Sequence, residues 1–388
     1  MRGVRPSRLD RVAGIGVDRM GSIADASGRD LLRLENLDVD IPPDAEAIAR
    51  TRAAASEDAA NSYLPFVGQP RLRESVARHV SALAGIDYHP ARNCIVTAGG
   101  LCGILNVLLA TIETGDEVVV TDPTYAGLIN RIHLCGGLPK FVPFRFAPGG
   151  EWRLDRDALR EAVGARVKAM LFMSPSMPSG GCLDATDWAL IAELCIANDL
   201  LLVFDAAMER LLFDGRQVIQ PAGLPGMAER TVIVGSASKE LRMIGWRVGW
   251  IVAPERLIPD IVAVSLANVV VPVGIAQDAV AIALERSALT LGPYVSELEA
   301  RRDALLGELE GLPLGVPGGG WSLLLRVTDF GLDGTTMSER LLEQGVCATP
   351  MQGWGAVHGP QYIRFVFANE PVARLRGLGA RVRAALRA

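Results

Sequence analysis

From about residue 69 the apolar positions fall alternately into helical spacing and into short unbroken runs. In Pro70–Ala84, Leu72, Val76, Val80 and Leu83 recur on one side of a 3.6-residue repeat, which predicts an amphipathic helix. Cys94–Thr97 then reads as a short strand, followed by Gly99-Gly100 and a helix through Ile112. Gly115-Asp116 turns the chain into a strand at 117–121 that Asp122-Pro123 closes. Further apolar runs at 167–173, 200–204, 231–235 and 248–252 lack strict alternation. Such runs suit strands covered on both faces by helices, hence a mainly parallel sheet in an α/β fold. Ligands of such sheets gather at the carboxyl ends of the strands. There the sequence puts Gly99-Gly100, 122–125, 174–180, Asp205 and 236–239.

Beyond about residue 280 the texture changes. One long helix is predicted over 277–309, then the turn Gly318-Gly319-Gly320-Trp321, strands at 323–325 and 362–367, and a basic terminal helix over 372–386. This predicts a smaller α/β domain, joined by the N-terminal segment around 32–43. The expected division is a large domain of 45–280 and a small domain of 1–44 and 281–388.

The bulk properties narrow the classes. A chain of 388 residues has room for a large core and two lobes. A net charge of −5 argues against a basic nucleic-acid footprint. Hydrophobic residues at 49% and charged residues at 21% suit a compact soluble protein. No apolar stretch approaches the ~18 residues that span a bilayer. The first 20 residues carry five arginines and two aspartates but no apolar segment, so no secretory signal is read and a cytoplasmic location is expected. Six scattered cysteines without a Cys-x-x-Cys pair suit reduced thiols, and four dispersed histidines give no zinc pattern.

Lysine carries the first chemical signal. The only lysines are Lys140, Lys168 and Lys239; every other cationic side chain is arginine. A lysine kept in Ser236-Ala237-Ser238-Lys239, at the end of an apolar run, points to a need for an amine rather than a charge. A primary amine forms a Schiff base with an aldehyde, whereas a guanidinium does not.

Several further motifs, in order, resemble those of fold-type I pyridoxal-phosphate enzymes of the class I/II aminotransferase family, over nearly the whole chain. Asn61-Ser62-Tyr63-Leu64-Pro65 with Gly68 resembles the segment whose tyrosine reaches the neighbouring subunit's cofactor phosphate. Thr97-Ala98-Gly99-Gly100-Leu101-Cys102 resembles the glycine turn that opens a helix under that phosphate. Asp122-Pro123-Thr124-Tyr125 puts an aromatic where the family stacks a ring on the pyridine. Ser174-Pro175-Ser176-Met177-Pro178-Ser179-Gly180 resembles its Asn-Pro-Thr-Gly loop. Asp205, Ser236, Lys239 and Arg247 complete the implied cofactor set, and Arg364 aligns with the arginine that clamps the substrate carboxylate. The resemblance implies a large domain with a mostly parallel seven-stranded sheet, pyridoxal 5'-phosphate as cofactor, amino acid and 2-oxo acid substrates, and a homodimer.

Each role also has a physical reason and a plainer competitor. Glycines let backbone approach a phosphate at a helix N-terminus, yet a Gly-Gly pair is also a common tight turn. Arg247 and the Ser236 hydroxyl can donate charge-assisted hydrogen bonds to a phosphate; Arg247 can equally form a surface ion pair. Asp205 emerges from a buried strand and needs a cationic partner, either a protonated pyridine nitrogen or a structural ion pair. Tyr125 also suits ordinary core packing, and Arg364 a salt bridge. For the substrate side chain, the loops 34–38, 269–274 and 353–354 are candidates, with Glu35 and Asp38 able to receive a cation and Trp321 and Trp354 a flat group.

Two positions depart from the family pattern. Met177 stands where the family has an asparagine, and Met208 where it has a tyrosine; both family side chains donate to the cofactor's phenolic oxygen. Methionine has no donor to offer. Transamination is the leading expectation, with elimination, replacement or ring formation at Cβ or Cγ as the alternative that these losses motivate. A DNA-binding regulator is disfavoured, because the roughly 60 residues before Tyr63 hold no helix-turn-helix pattern.

Overall fold

A computed structural model describes residues 6–388. Its main sheet runs edge to edge through Cys94–Thr97, Gly249–Val252, Thr231–Ser236, Leu201–Asp205, Val167–Met173, Glu117–Asp122, Leu138–Arg145 and Arg153–Leu154. The four junctions between Thr231–Ser236 and Leu138–Arg145 are parallel. Gly249–Val252 runs antiparallel to both its neighbours. The expected seven strands are thus joined by an eighth of two residues, Arg153–Leu154, antiparallel at the edge. Leu138–Arg145 has no local strand signal, because Pro139, Lys140 and Pro143 interrupt its apolar pattern.

Successive side chains on a strand face opposite ways, and here both faces are dry. Val118, Val120, Leu171, Val203 and Val234 share one core with the helices Gly100–Thr111 and Ile258–Asn268. Val119, Met170, Phe172, Leu202 and Phe204 belong to the other, with Pro70–Ala84 and Ala185–Ala197. That double cover explains the unbroken apolar runs. Pro70–Ala84 starts with Pro70 in its first turn, ends at left-handed Gly85 and buries Leu72, Val76 and Val80. Leu83 is only half-buried; Ala84 takes the inner position.

The smaller lobe is built on the antiparallel sheet Ser322–Arg326, Tyr362–Val366 and Thr349–Pro350. Leu32–Arg33 pairs in parallel with Val346–Cys347, a contact between the N-terminal segment and the C-terminal part of the chain. Two expected helices are interrupted. The helix over 277–309 is Gly274–Glu285 followed by Ser287–Glu308, turned at Arg286 (φ −92°, ψ 0°). The Arg286 guanidinium pairs with Asp44 at 3.0 Å, a distant partner that no local pattern announces. The terminal helix is Val372–Leu375 and Leu378–Arg387, parted at Gly377 with φ +80°. Among the described residues no helix is long and apolar enough to cross a membrane.

The lobes meet at the carboxyl edge of the main sheet. Buried Asp122 accepts the amides of Val357 at 2.9 Å, His358 at 3.2 Å and Gly359 at 3.1 Å. The Thr124 amide donates to the Trp354 carbonyl at 2.8 Å. Asp122 thereby fastens the 355–359 loop over the strand ends.

Candidate active site

A cavity of about 220 Å³ opens at those strand ends. Its floor is the turn into helix Gly100–Thr111. That helix has no side-chain N-cap, and its first backbone bond to the turn is Gly103 to Gly99, so the N–H groups of residues 100–102 are left for a ligand. Gly99 has φ +87°, and a Cβ there would lie 2.6 Å from Arg247 Nη2. Glycine is therefore what lets the guanidinium lie against the turn. Arg247 Nη1 donates to the Ile244 carbonyl at 2.8 Å and to Ser238 Oγ at 3.3 Å. Ser236 Oγ accepts the Ser238 amide at 3.2 Å, which leaves its hydroxyl proton free to donate. Open amides at a helix N-terminus, two hydroxyls and an arginine suit the oxygens of a phosphate dianion. The donor set fits the phosphate of pyridoxal 5'-phosphate.

Lys239 and Asp205 line the same cavity. Lys239 follows strand Thr231–Ser236, and its Nζ lies 3.8 Å from the centroid of the Trp321 ring. Enclosure by protein pushes the amine down to about 7; the positive charge of Arg364 lowers it further, and Asp38 opposes. Asp205 ends strand Leu201–Asp205 and is buried. Burial raises its carboxyl to about 6, against the Ala207 amide, which donates at 3.1 Å, and the charges of Lys239 and Arg131. Lys239 and Arg131 act on Asp205 through their charge but give it no hydrogen bond among the described residues, which suits a cationic group arriving with a ligand.

Tyr125 forms a wall, its ring 5.2 Å from that of Trp354. A Cβ on Gly127 would fall 2.6 Å from the Tyr125 ring, so that glycine admits the aromatic. Trp354 also carries the Arg364 guanidinium 4.7 Å above its ring. Arg364 is fully buried on strand Tyr362–Val366. Its Nη2 donates to the Glu35 carbonyl at 3.0 Å and to Thr349 Oγ1 at 3.2 Å. Nε and Nη1 have no partner among the described residues. Buried, unpaired N–H groups on a guanidinium suit an anionic ligand such as a carboxylate.

The remaining candidates are placed differently. Leu101 and Met177 line the cavity, but Cys102 lies half-buried in the helix beyond it. Met208 is buried behind the cavity, its Cε 3.6 Å from where a Gly320 Cβ would be. Ser322 Oγ, which donates to the Pro178 carbonyl at 2.7 Å, lies 3.5 Å from Met177 Sδ. Tyr63 stands away from the cavity, 84% exposed, beside residues 271–274 of the loop expected to shape the substrate pocket. Glu35 is turned into the small lobe and pairs with Arg33 at 2.6 Å, so its side chain is not a pocket group. Asp38 is exposed near the cavity mouth. Trp321 is fully buried under Lys239.

Several lining residues had no sequence signal of their own. Met173, Ala207 and Ile244 are among them, whereas Leu37 comes from the candidate loop 34–38 and Ser238 from the lysine motif. Half-buried Arg131 donates to the Leu101 carbonyl at 2.7 Å and the Gly127 carbonyl at 2.9 Å. It ties the cradle helix to the helix that follows Tyr125.

Comparison with known proteins places this geometry. The family model described as aminotransferase class I and II matches residues 32–381. The probable N-succinyldiaminopimelate aminotransferase DapC of Mycobacterium tuberculosis (strain ATCC 25618 / H37Rv) is 33% identical over 320 residues, 80% of each chain. The aspartate aminotransferase of Pyrococcus abyssi is 31% identical over 369 residues, 93% of each. The solved N-succinyldiaminopimelate aminotransferase from Mycobacterium tuberculosis has a TM-score of 0.91 and 30% identity, over 99% of this chain and 100% of the other.

Proposed function

Because the chain belongs to the class I and II aminotransferases, we propose that it moves the amino group of an amino acid to a 2-oxo acid, with Lys239 as the residue that carries pyridoxal 5'-phosphate. One observation carries this reading. A single cavity gathers Lys239, Asp205 and the cradle of Gly100, Ser236 and Arg247. When bound, pyridoxal 5'-phosphate supplies an aldehyde that exchanges between amines and a ring that accepts the electrons of a bond broken at the substrate Cα.

The chain's own groups do the rest. The amides at 100–102, Ser236, Ser238 and Arg247 would hold the phosphate, the Asp205 carboxylate would pair with a protonated ring nitrogen, and Tyr125 would supply the aromatic wall for the ring. Lys239, lowered to about 7 by burial, is substantially neutral near neutral pH and so competent as a nucleophile. When not bonded to the cofactor, the same amine would take the proton from the substrate Cα as general base and give it back as general acid. Arg364 holds the α-carboxylate through N–H groups that have no partner among the described residues, which helps fix the direction of the bond to be broken. We place the large domain at 45–280 and the small domain at 1–44 with 281–388. We take the protein to be a cytoplasmic homodimer in which Tyr63 reaches the partner's phosphate; its exposure in one chain supports this.

Met177 at the cavity wall and Met208 behind it favour a second reading, elimination, replacement or ring closure at Cβ or Cγ. Incubation with a panel of amino acids, including aspartate, aromatic amino acids and N-succinyldiaminopimelate, separates the two. Transfer of the amino group to added 2-oxo acid supports transamination. Ammonia release without need of an oxo acid supports the second reading and defeats the first.

A further inference from the structure

Lys239 Nζ has no hydrogen-bond or ion-pair partner among the described residues, and its described close contact is the Trp321 face at 3.8 Å. Four charges face it from four elements. Asp38 comes from the N-terminal segment, Asp205 from its strand, Arg247 from beyond residue 246, and Arg364 from strand Tyr362–Val366. Burial lowers the amine more than any of them does, and the two arginines and the two acids act in opposite directions. What remains is the indole face, which attracts an ammonium through the ring quadrupole and needs no counter-ion.

The ring is a fixed surface. Trp321 is fully buried, and the turn before it is pinned to the large lobe by backbone bonds. The Gly319 amide donates to the Gly180 carbonyl at 3.1 Å, Gly320 to Leu211 at 2.8 Å, and the Trp321 carbonyl accepts from Phe367 at 2.9 Å. A lysine stem of four carbons samples many positions unless something holds its end. Resting on the Lys239 assignment above, we propose that Trp321 is a positioning residue that holds the Lys239 amine over its ring whenever that amine is not bonded to the cofactor. The contact favours the protonated amine and keeps it beside the atoms between which the proton moves. Trp321 acts through Lys239 and has no bond to make or break itself.

The scarcity of lysine makes the contact directly observable. Full-length protein labelled with carbon-13 and nitrogen-15 in lysine, freed of cofactor, has three lysine side-chain signals, and Lys239→Ala identifies one. The ε-methylene protons of Lys239 should lie upfield of those of Lys140 and Lys168, shielded by the indole. In Trp321→Leu that displacement should vanish and the amine's titration midpoint should fall by roughly 0.5–1.5 units. Trp321→Phe should keep most of both. In the loaded enzyme, Trp321→Leu should lower kcat roughly 10- to 100-fold with KM for the amino acid little changed.

A wild-type Lys239 signal coincident with the other two overturns the proposal without need of any variant. An unchanged midpoint in Trp321→Leu, or a raised KM with kcat intact, also overturns it; the latter makes Trp321 a substrate contact. These spectra need no cofactor, so they stand or fall apart from the attachment of pyridoxal phosphate to Lys239.

Discussion

The Arg364 guanidinium lies 4.7 Å from the centroid of the Trp354 ring and is anchored to protein through Nη2 alone. Burial without a carboxylate partner pushes Arg364 down to about 10, an uncommon cost for an arginine. A substrate carboxylate bound there would relieve that cost. Arg364→Lys, which removes the planar fork but keeps the charge, should lower kcat/KM by about 100-fold or more for amino acids, equivalent to roughly 3 kcal/mol. Most of the loss should appear in KM for both amino acid and 2-oxo acid. Steady-state kinetics on both substrates checks this; equal loss for an amine lacking a carboxylate would show that the arginine serves the fold instead.

Asp205 should leave a mark on stability before any ligand binds. Its carboxyl is raised from 3.8 to about 6 by burial. Between those values the folded chain keeps a proton that the unfolded chain has lost, so stability falls as pH rises through that window. The full cost above it is roughly 3 kcal/mol. Cofactor-free Asp205→Asn should therefore melt higher than wild type at pH 7–8, with the gap closing below about pH 4. Pyridoxal phosphate should then stabilise wild type far more than the variant. Thermal melts across pH, with and without cofactor, decide both.

The methionines predict a colour change with pH. Neither side chain donates a hydrogen bond, so the bound cofactor's phenolic oxygen stays available to the protonated linkage with Lys239. Wild type should hold its protonated, yellow form to higher pH than Met177→Asn/Met208→Tyr. Met177→Asn alone should account for much of the shift, because Met177 lines the cavity and Met208 is buried behind it. Coincident absorbance titrations would mean that another group already serves that oxygen.

Shared active sites can be tested by mixing chains. Lys239→Ala and Tyr63→Phe should each be impaired as homodimers. Refolded together they should recover activity that neither parent has, since one site of each hybrid then holds Lys239 from one chain and Tyr63 from the other. No recovery, or full activity from a 41.4 kDa monomer by light scattering, would contradict the homodimer.

Legibility in the sequence followed the distance over which each feature is decided. Lys239, Asp205 and Gly100 sit where an apolar run stops, so a local pattern puts them at strand ends. Asp205 needs no more than the buried Leu201–Asp205 strand to become a costly carboxylate. Trp321 over Lys239 is a contact between positions 82 residues apart, and it depends on how the lobes dock through Asp122 and Trp354. Glu35 was readable as a pocket acid until its partner Arg33 was seen to draw it into the small lobe. The break at Arg286 has no glycine or proline to announce it; a long-range pair with Asp44 marks the place. At Gly377 the helical spacing on either side masks a left-handed preference (φ +80°).

Borohydride reduction of the yellow enzyme, followed by peptide mapping, tests the central assignment most directly, because reduction makes the link between amine and cofactor permanent. The chain offers only Lys140, Lys168 and Lys239 as side-chain amines. The cofactor mass should appear on the peptide containing Ser236-Ala237-Ser238-Lys239 and disappear in Lys239→Ala. Mass on Lys140 or Lys168, or on no lysine at all, would contradict the account.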